Sequence, residues 1–553
     1  MSKKIIIVLP VLVIAFLFAG WEIGTSSNKK NFDSYFAFEN VPDDYASPDQ
    51  YKIDVLHYDL NIDLHPEKRI LNGDVTITGV VLDRNIKQID LNFYDNMQIS
   101  LLTLNGKQSE YSEKGTRLSI PYSNALPDTF YIRVVYSGTP KREGFSSFVF
   151  GDLNGQSCVY NLNEPDYAST WFPCNDIPSD KALVDMKITN DSSEVSASNG
   201  LLVGVSTNGS RRTYHWKSNY PIATYLICLY SSDYKTFSQK YISLDKKDTM
   251  SIEYFVFPDQ LNEAKTDFED HPEMLHFFSK TFGEYPFIKE KYGVAEFLWQ
   301  LGAMETQTLT GVGSNFVGGM KLFNDVYSHE LSHHWFGDAV SPETWKDIWL
   351  NEGFASYCEA LYKEHVGGAG ALRSTMMSKY QNNFYGTVYN PKDLFSRTVY
   401  DKGAWVLHML RHEVGDSTFF DILRNYYQTY KYKNASTKDF VNICEKISGK
   451  NLEQFFNQWV FDGTGIIKLN YSWSAALKDI IINFNQSQTG YEVYKFPVDV
   501  EINYTDNSSE LKTIFIDQRQ QKINIAVGKT VADIKIDPNN WLLANIEGHK
   551  ESD

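Results

Sequence analysis

Val326-Tyr327-Ser328-His329-Glu330-Leu331-Ser332-His333 is followed, after eighteen intervening residues, by Glu352 in Trp349-Leu350-Asn351-Glu352-Gly353-Phe354-Ala355. Residues four apart lie on one face of a helix, so His329 and His333 can offer two imidazoles to one metal ion with Glu330 beside its open position. Catalytic zinc keeps three protein ligands and a water, and Glu352 completes a His, His, Glu set. A bare HExxH also arises by chance; a glutamate at this separation distinguishes a metal centre from coincidence. Val326 to Phe336 reads as helix with Gly337 as its C-cap, Pro342 interrupts, and Thr344 to Tyr362 resumes a helical pattern. Two antiparallel helices are therefore expected, with the metal held between them.

Working outward, 553 residues exceed one ordinary domain and allow three or four. A chain that is 42% hydrophobic and 22% charged is folded rather than disordered. The net charge of −17 comes with no basic block, so nucleic acid is not an expected partner. Lys3 and Lys4 precede an apolar run from Ile5 to Gly20 and a polar spacer, the pattern of an export signal. Residues 1–26 are read as a signal peptide, or else an uncleaved anchor tethering the chain through residues 5–20, with 27–48 as spacer. The expected location is exported: periplasmic, extracellular, or at the outer face of a membrane. The five scattered cysteines do not resemble a disulfide framework, although Cys158 and Cys174 could bridge in an oxidising compartment.

From 49 to 240 short strand-like runs dominate. Tyr58, Leu60, Ile62 and Leu64 alternate with polar residues, and Val75 to Val81, Phe130 to Tyr136 and Tyr225 to Tyr230 also fit strands, with Asn72-Gly73 and Asn105-Gly106 as turns. This is expected to be an antiparallel β domain. Between 241 and 462 a strand-rich stretch gives way to helical periodicity from about Asn315, as in a thermolysin-like mixed α/β catalytic domain. After Gly463-Thr464-Gly465 strand patterns return, with Ile480 to Phe484, Val498 to Tyr504, Leu511 to Ile516 and Ile523 to Val527, predicting a small β sandwich over 463–553. The fold class is multidomain α+β.

Gly302-Ala303-Met304-Glu305 precedes the metal helix, and Tyr400-Asp401-Lys402-Gly403-Ala404 follows it, in the order seen in the aminopeptidase N family of gluzincin metallopeptidases. The chain resembles that family over roughly 50 to 465, including Trp171-Phe172-Pro173-Cys174-Asn175-Asp176-Ile177-Pro178-Ser179-Asp180-Lys181-Ala182 and the segment from Asp439-Phe440 to Trp459. The resemblance implies one zinc ion held by His329, His333 and Glu352, Glu330 as the general base acting on the zinc-activated water, and Tyr400 as hydrogen-bond donor to the oxyanion. Glu305, and Glu164 in Asn163-Glu164-Pro165, match the acidic residues that capture the substrate's free α-amino group. Met304 is expected to line the pocket for the first side chain, and the Gly302-Ala303 backbone to pair with an extended peptide.

Three departures stand out: Thr306 where asparagine is usual, Ser169-Thr170 in place of a basic pair, and Ile466 where proline is common. Many members add a long helical C-terminal domain; here Gly463 to Asp553 is all that follows, so that domain is expected to be absent and the cleft more open. The implied activity is zinc-dependent removal of N-terminal residues from peptides. Alternatives are a thermolysin-like endopeptidase, against which Glu305 and Glu164 argue, and a noncatalytic surface-binding protein, against which Glu330 and Tyr400 argue. Oligomeric state and preferred first residue stay open.

Overall fold

The computed structural model describes residues 41, 45–123, 126–475 and 479–551. The expected signal and most of the spacer fall in residues 1–40, outside the described residues, within which no helix is long and apolar enough to cross a membrane.

Strict two-residue alternation builds the first domain. In Ile53–His65 one face from Tyr58 to Leu64 is buried, and a register shift near Leu56 resets the pattern. The strand sits inside a nine-stranded sheet, flanked by Ile70–Val81 and by Lys181–Asp191. The sheet is antiparallel except between Ile53–His65 and Lys181–Asp191, which run parallel, an exception that alternation cannot reveal. Two local readings are corrected. Asn72-Gly73 lies within Ile70–Val81 opposite Ser137 and Tyr136; a Cβ at Gly73 would come 2.2 Å from the Tyr136 ring, so this glycine makes room for an aromatic rather than a turn. Residues 224–226 form a 3-10 turn, and the strand begins only at Leu229. There Tyr225 reaches across to pack edge-on against Trp345 at 5.2 Å and donates to the Gly337 carbonyl at 3.0 Å.

The next unit is a five-stranded mixed sheet in the order Lys235–Ile242, Thr249–Val256, Lys291–Phe297, Thr310–Gly313 and Ala303–Met304. Its first strand crosses residue 240. Helices pack beside it, and two of them, Leu261–Asp267 and His271–Phe282, precede the point where helical periodicity is evident in the sequence. After Gly463 the described residues form two facing sheets and no helix: Gln520–Ala526, Asp479–Gln486, Ile467–Ala475 and Ala544–Lys550 in one, Ser509–Ile516, Phe496–Tyr504 and Val531–Ile536 in the other. This is the expected α+β architecture with a terminal sandwich. All five cysteines are buried free thiols, so Cys158 and Cys174 do not bridge.

Buried polar links lock the first domain to the second. Lys181, half-buried, donates to the carbonyls of Asp338 at 2.8 Å and Ala339 at 3.2 Å, just beyond the metal helix. Lys402 donates to the Gly463 carbonyl at 2.7 Å and so ties the second unit to the sandwich. Burial pulls both amines down to about 7, against the pull of Asp338 in the case of Lys181, and carbonyl dipoles supply the hydrogen bonds that hold each.

Candidate metal and substrate site

The metal helix runs Asn324–His333, shorter than the Val326 to Phe336 reading. After His333 the chain tightens into turns, with the His334 and Trp335 amides donating to the Leu331 and Ser332 carbonyls at 3.2 and 3.0 Å, while His333 Nδ1 hydrogen-bonds the Phe336 carbonyl at 3.2 Å; Gly337 belongs to the following turn. The partner helix starts at Trp349, one short 3-10 turn after Thr344, and extends past Tyr362 to Ser378 with a break at Gly368.

These two helices bring the predicted ligands together. Glu352 Oε2 lies 3.3 Å from His329 Nε2 and 3.4 Å from His333 Nε2. Ligands about 2.0–2.2 Å from a tetrahedral zinc are themselves about 3.3 Å apart, so the donor set has the spacing that zinc requires. Each imidazole has its other nitrogen engaged: His329 Nδ1 contacts Glu359 Oε1 at 2.7 Å, and His333 Nδ1 the Phe336 carbonyl. That leaves both Nε2 atoms to face Glu352 and fixes the tautomer a metal needs. Burial acts to raise Glu352, but His333 and hydrogen bonds from His329 and His333 hold it down to about 2, so it is an anion. A buried carboxylate facing the Nε2 atoms of two imidazoles is a donor set that fits a divalent cation, which would take the place of the Nε2 protons.

Three further carboxylates face the same space. Glu330 is buried beside His333 and Glu305, with one ligand atom of each within 4.8 Å of the others; Glu164, Glu305 and Glu352 form a second such trio. Burial pushes Glu330 up to about 8 against the pull of His329, and drives Glu164 well above the carboxylate range, with Glu305 and Glu352 adding repulsion. Glu305 is raised by burial too, opposed by His333. Glu164 Oε1 and Glu305 Oε1 are buried without a protein hydrogen-bond partner. Orphaned buried acceptors are costly, and here they come as a pair aimed into one cavity.

The scaffolding explains the quoted motifs. Trp171 Nε1 donates to Asn163 Oδ1 at 2.9 Å, and Asn163 Nδ2 donates to the carbonyls of Thr224 at 3.1 Å and Ile227 at 2.8 Å, which pins the loop carrying Glu164. Ala303–Met304 forms the outer edge of the five-stranded sheet, paired antiparallel with Thr310–Gly313, while the Gly302 carbonyl accepts from Gly313 at 3.1 Å. Thr306, in the position where asparagine was expected, is fully buried; its hydroxyl donates to the Leu309 carbonyl and lies 3.1 Å from Tyr230 Oη, closing the turn behind Glu305. Tyr400 sits in a π-helical turn, Thr398–Lys402, and stacks on His329 at 6.0 Å. Gly353 and Gly403 let that turn approach: a Cβ on either would lie 2.9 Å from the other's Cα. Burial, then Glu352 and Glu164, keep the Tyr400 phenol far above its usual value, so it remains a proton-bearing donor.

A cavity of about 610 Å³ holds every predicted site residue: Glu164, Gly302, Ala303, Met304, Glu305, His329, Glu330, His333, Glu352 and Tyr400. Sequence reasoning missed Glu359, although it lies seven residues after Glu352 and hence on the same helical face. It also missed the aromatic wall of Phe145, Trp299 and Phe395, with ring centroids 5.1 Å apart in each contact, which comes from three distant segments and has no local signature.

The fold and the donor set thus define a gluzincin-type metal centre on a thermolysin-like core. Comparison with known proteins makes this specific: the Peptidase M1 N-terminal domain matches residues 54–226 and the Peptidase family M1 domain matches 266–459, and the chain belongs to peptidase family M1, whose members carry zinc. It is 24% identical over 472 residues to a probable aminopeptidase 1 of Sulfurisphaera tokodaii, covering 80% of this chain and 57% of that protein. To endoplasmic reticulum aminopeptidase 1 of Rattus norvegicus it is 26% identical, covering 78% of this chain and 50% of the other. It therefore spans about half the length of these relatives. Among solved structures, an M1 zinc metallopeptidase from Deinococcus radiodurans superposes with a TM-score of 0.66 at 27% identity, covering 74% of this chain and 93% of that one.

Proposed function

We propose that this protein is a zinc aminopeptidase that hydrolyses the N-terminal peptide bond of peptides. The observation that carries the reading is the pair of buried, unpartnered oxygens on Glu164 and Glu305 beside the His329, His333, Glu352 triad. A free α-ammonium supplies the donors and the charge that both lack, and an internal peptide bond supplies neither. The edge strand Ala303–Met304 offers backbone groups to an extended chain entering from the same side.

Zinc bound by His329, His333 and Glu352 supplies a Lewis acid that polarises the scissile carbonyl and brings water within reach of deprotonation at neutral pH. Glu330 takes that proton on its carboxylate and returns it to the leaving amine. Burial favours this, because a carboxylate lifted toward neutrality by its surroundings accepts a proton readily. Tyr400, held neutral, donates its Oη–H to the developing oxyanion, a contribution typically of about 10²- to 10³-fold. Glu164 and Glu305 hold the amino end and thereby fix which bond lies over the metal.

The relatives' names support the reading, as do the structures of a Deinococcus radiodurans M1 zinc metallopeptidase bound to Tyr-Ser-Ala and of a two-domain M1 zinc metallopeptidase bound to L-tryptophan. The test compares hydrolysis of a peptide with a free N-terminus and of its N-acetylated form. Cleavage of the free peptide alone is expected; equal rates on both would replace the reading with an endopeptidase.

A further inference from the structure

Glu359 holds a zinc ligand, and something holds Glu359. Its Oε1 contacts His329 Nδ1 at 2.7 Å, while its Oε2 accepts from Lys379 Nζ at 2.7 Å. Both side chains are mostly buried, at 15% and 12% exposure. Residues 359 and 379 are twenty apart on what begins as one helix, and an unbroken helix would separate them by about 30 Å. The break at Gly368, where φ is 72° and ψ −173°, lets the chain return so that Lys379, capping the end of Trp349–Ser378, reaches back to the metal end of the same segment.

We propose that Lys379 is a positioning residue for the metal centre: by gripping the outer oxygen of Glu359 it fixes that carboxylate on Nδ1 of His329, and so sets the tautomer and aim of a zinc ligand. The inference rests on the zinc assignment and does not need the aminopeptidase activity. Its consequence runs against simple charge counting. Removing a nearby cation should tighten binding of a dication, whereas loss of an orienting contact should weaken it.

The test measures the zinc dissociation constant of the full chain by competition with a fluorescent chelator, for wild type, Lys379→Met, Lys379→Arg and Glu359→Gln. Outer partners of metal-bound imidazoles typically contribute about 10- to 100-fold in affinity, so Lys379→Met is expected to bind zinc at least about tenfold more weakly. Lys379→Arg, which retains charge and donors, is expected to stay near wild type, and Glu359→Gln to weaken binding at least as much as Lys379→Met. Zinc affinity that is unchanged or tighter in Lys379→Met overturns the proposal, even if the zinc-free variant melts lower, because a merely structural lysine would do only that. Should Lys379→Met not fold, Lys379→Gln gives the same reading with a polar head in place. Failure of wild type to bind zinc would overturn the metal assignment itself, a result distinct from equal binding by wild type and variant.

Discussion

The two halves of the cleft treat their polar atoms in opposite ways. On the metal side every donor is braced: the second nitrogen of each imidazole is engaged, and Glu352 is held between both rings. On the amine side Glu164 and Glu305 each present a buried oxygen that nothing in the protein satisfies. A site that must grip an ion permanently needs its ligands preoriented by the protein. A site that must admit and release a substrate group needs acceptors left for that group to complete. On the function proposed above, the contrast separates a resident ion from a transient ammonium within one cavity.

The largest expected effect breaks the chemistry without touching either half. Glu330→Gln removes the proposed base but none of the proposed zinc ligands, and general bases contribute about 10²- to 10⁴-fold. Turnover should fall by that order with zinc content by elemental analysis unchanged; full activity in the variant would refute the role given to Glu330. Next comes the amine side. Glu305→Gln keeps shape but loses charge, and a hydrogen bond to a charged group contributes about 1.5–3 kcal/mol, or roughly 10- to 100-fold in kcat/KM. The loss should fall on free-amine peptides while zinc affinity stays put. If Glu305→Gln lost zinc as well, the two halves would not be separable as drawn.

How much of this was legible beforehand follows the same division. Ligand spacing on helices is periodic, so His329, His333, Glu330 and Glu352 could be placed together from sequence, and Glu359 two turns on was there to be seen. Glu164 sits on an irregular loop, Glu305 just after a two-residue edge strand and Tyr400 in a π-turn, none of which has a period; only resemblance singled them out. Lys379 escaped both routes, because its meeting with Glu359 depends on the reversal at Gly368. In the β domain alternation gave strand faces correctly, but the parallel neighbour of Ile53–His65 lies over a hundred residues away in sequence and left no local trace. Gly73 misled for a related reason: the Tyr136 ring it accommodates belongs to another strand.

Glu296 sharpens the comparison most finely, because it too carries a buried oxygen without a partner yet does not line the cavity. It is fully buried in Lys291–Phe297, its Oε2 accepting from the Phe257 amide at 2.9 Å, and burial raises it from 4.5 to about 8. Between those values the folded state keeps a proton that the unfolded chain has released. Stability attributable to this group is therefore full below about 4.5 and declines as pH rises toward about 8. Glu296→Gln cannot ionise, so urea unfolding of the zinc-free protein at intervals from pH 5 to 8 should show a shallower loss of stability than wild type, with kcat/KM of the zinc-loaded enzyme little changed. An identical slope in the variant would mean that Glu296 is already satisfied. A collapse in kcat/KM would mean that an orphaned oxygen outside the cleft can serve the substrate, and that the mark used to recognise the amine side is not particular to it.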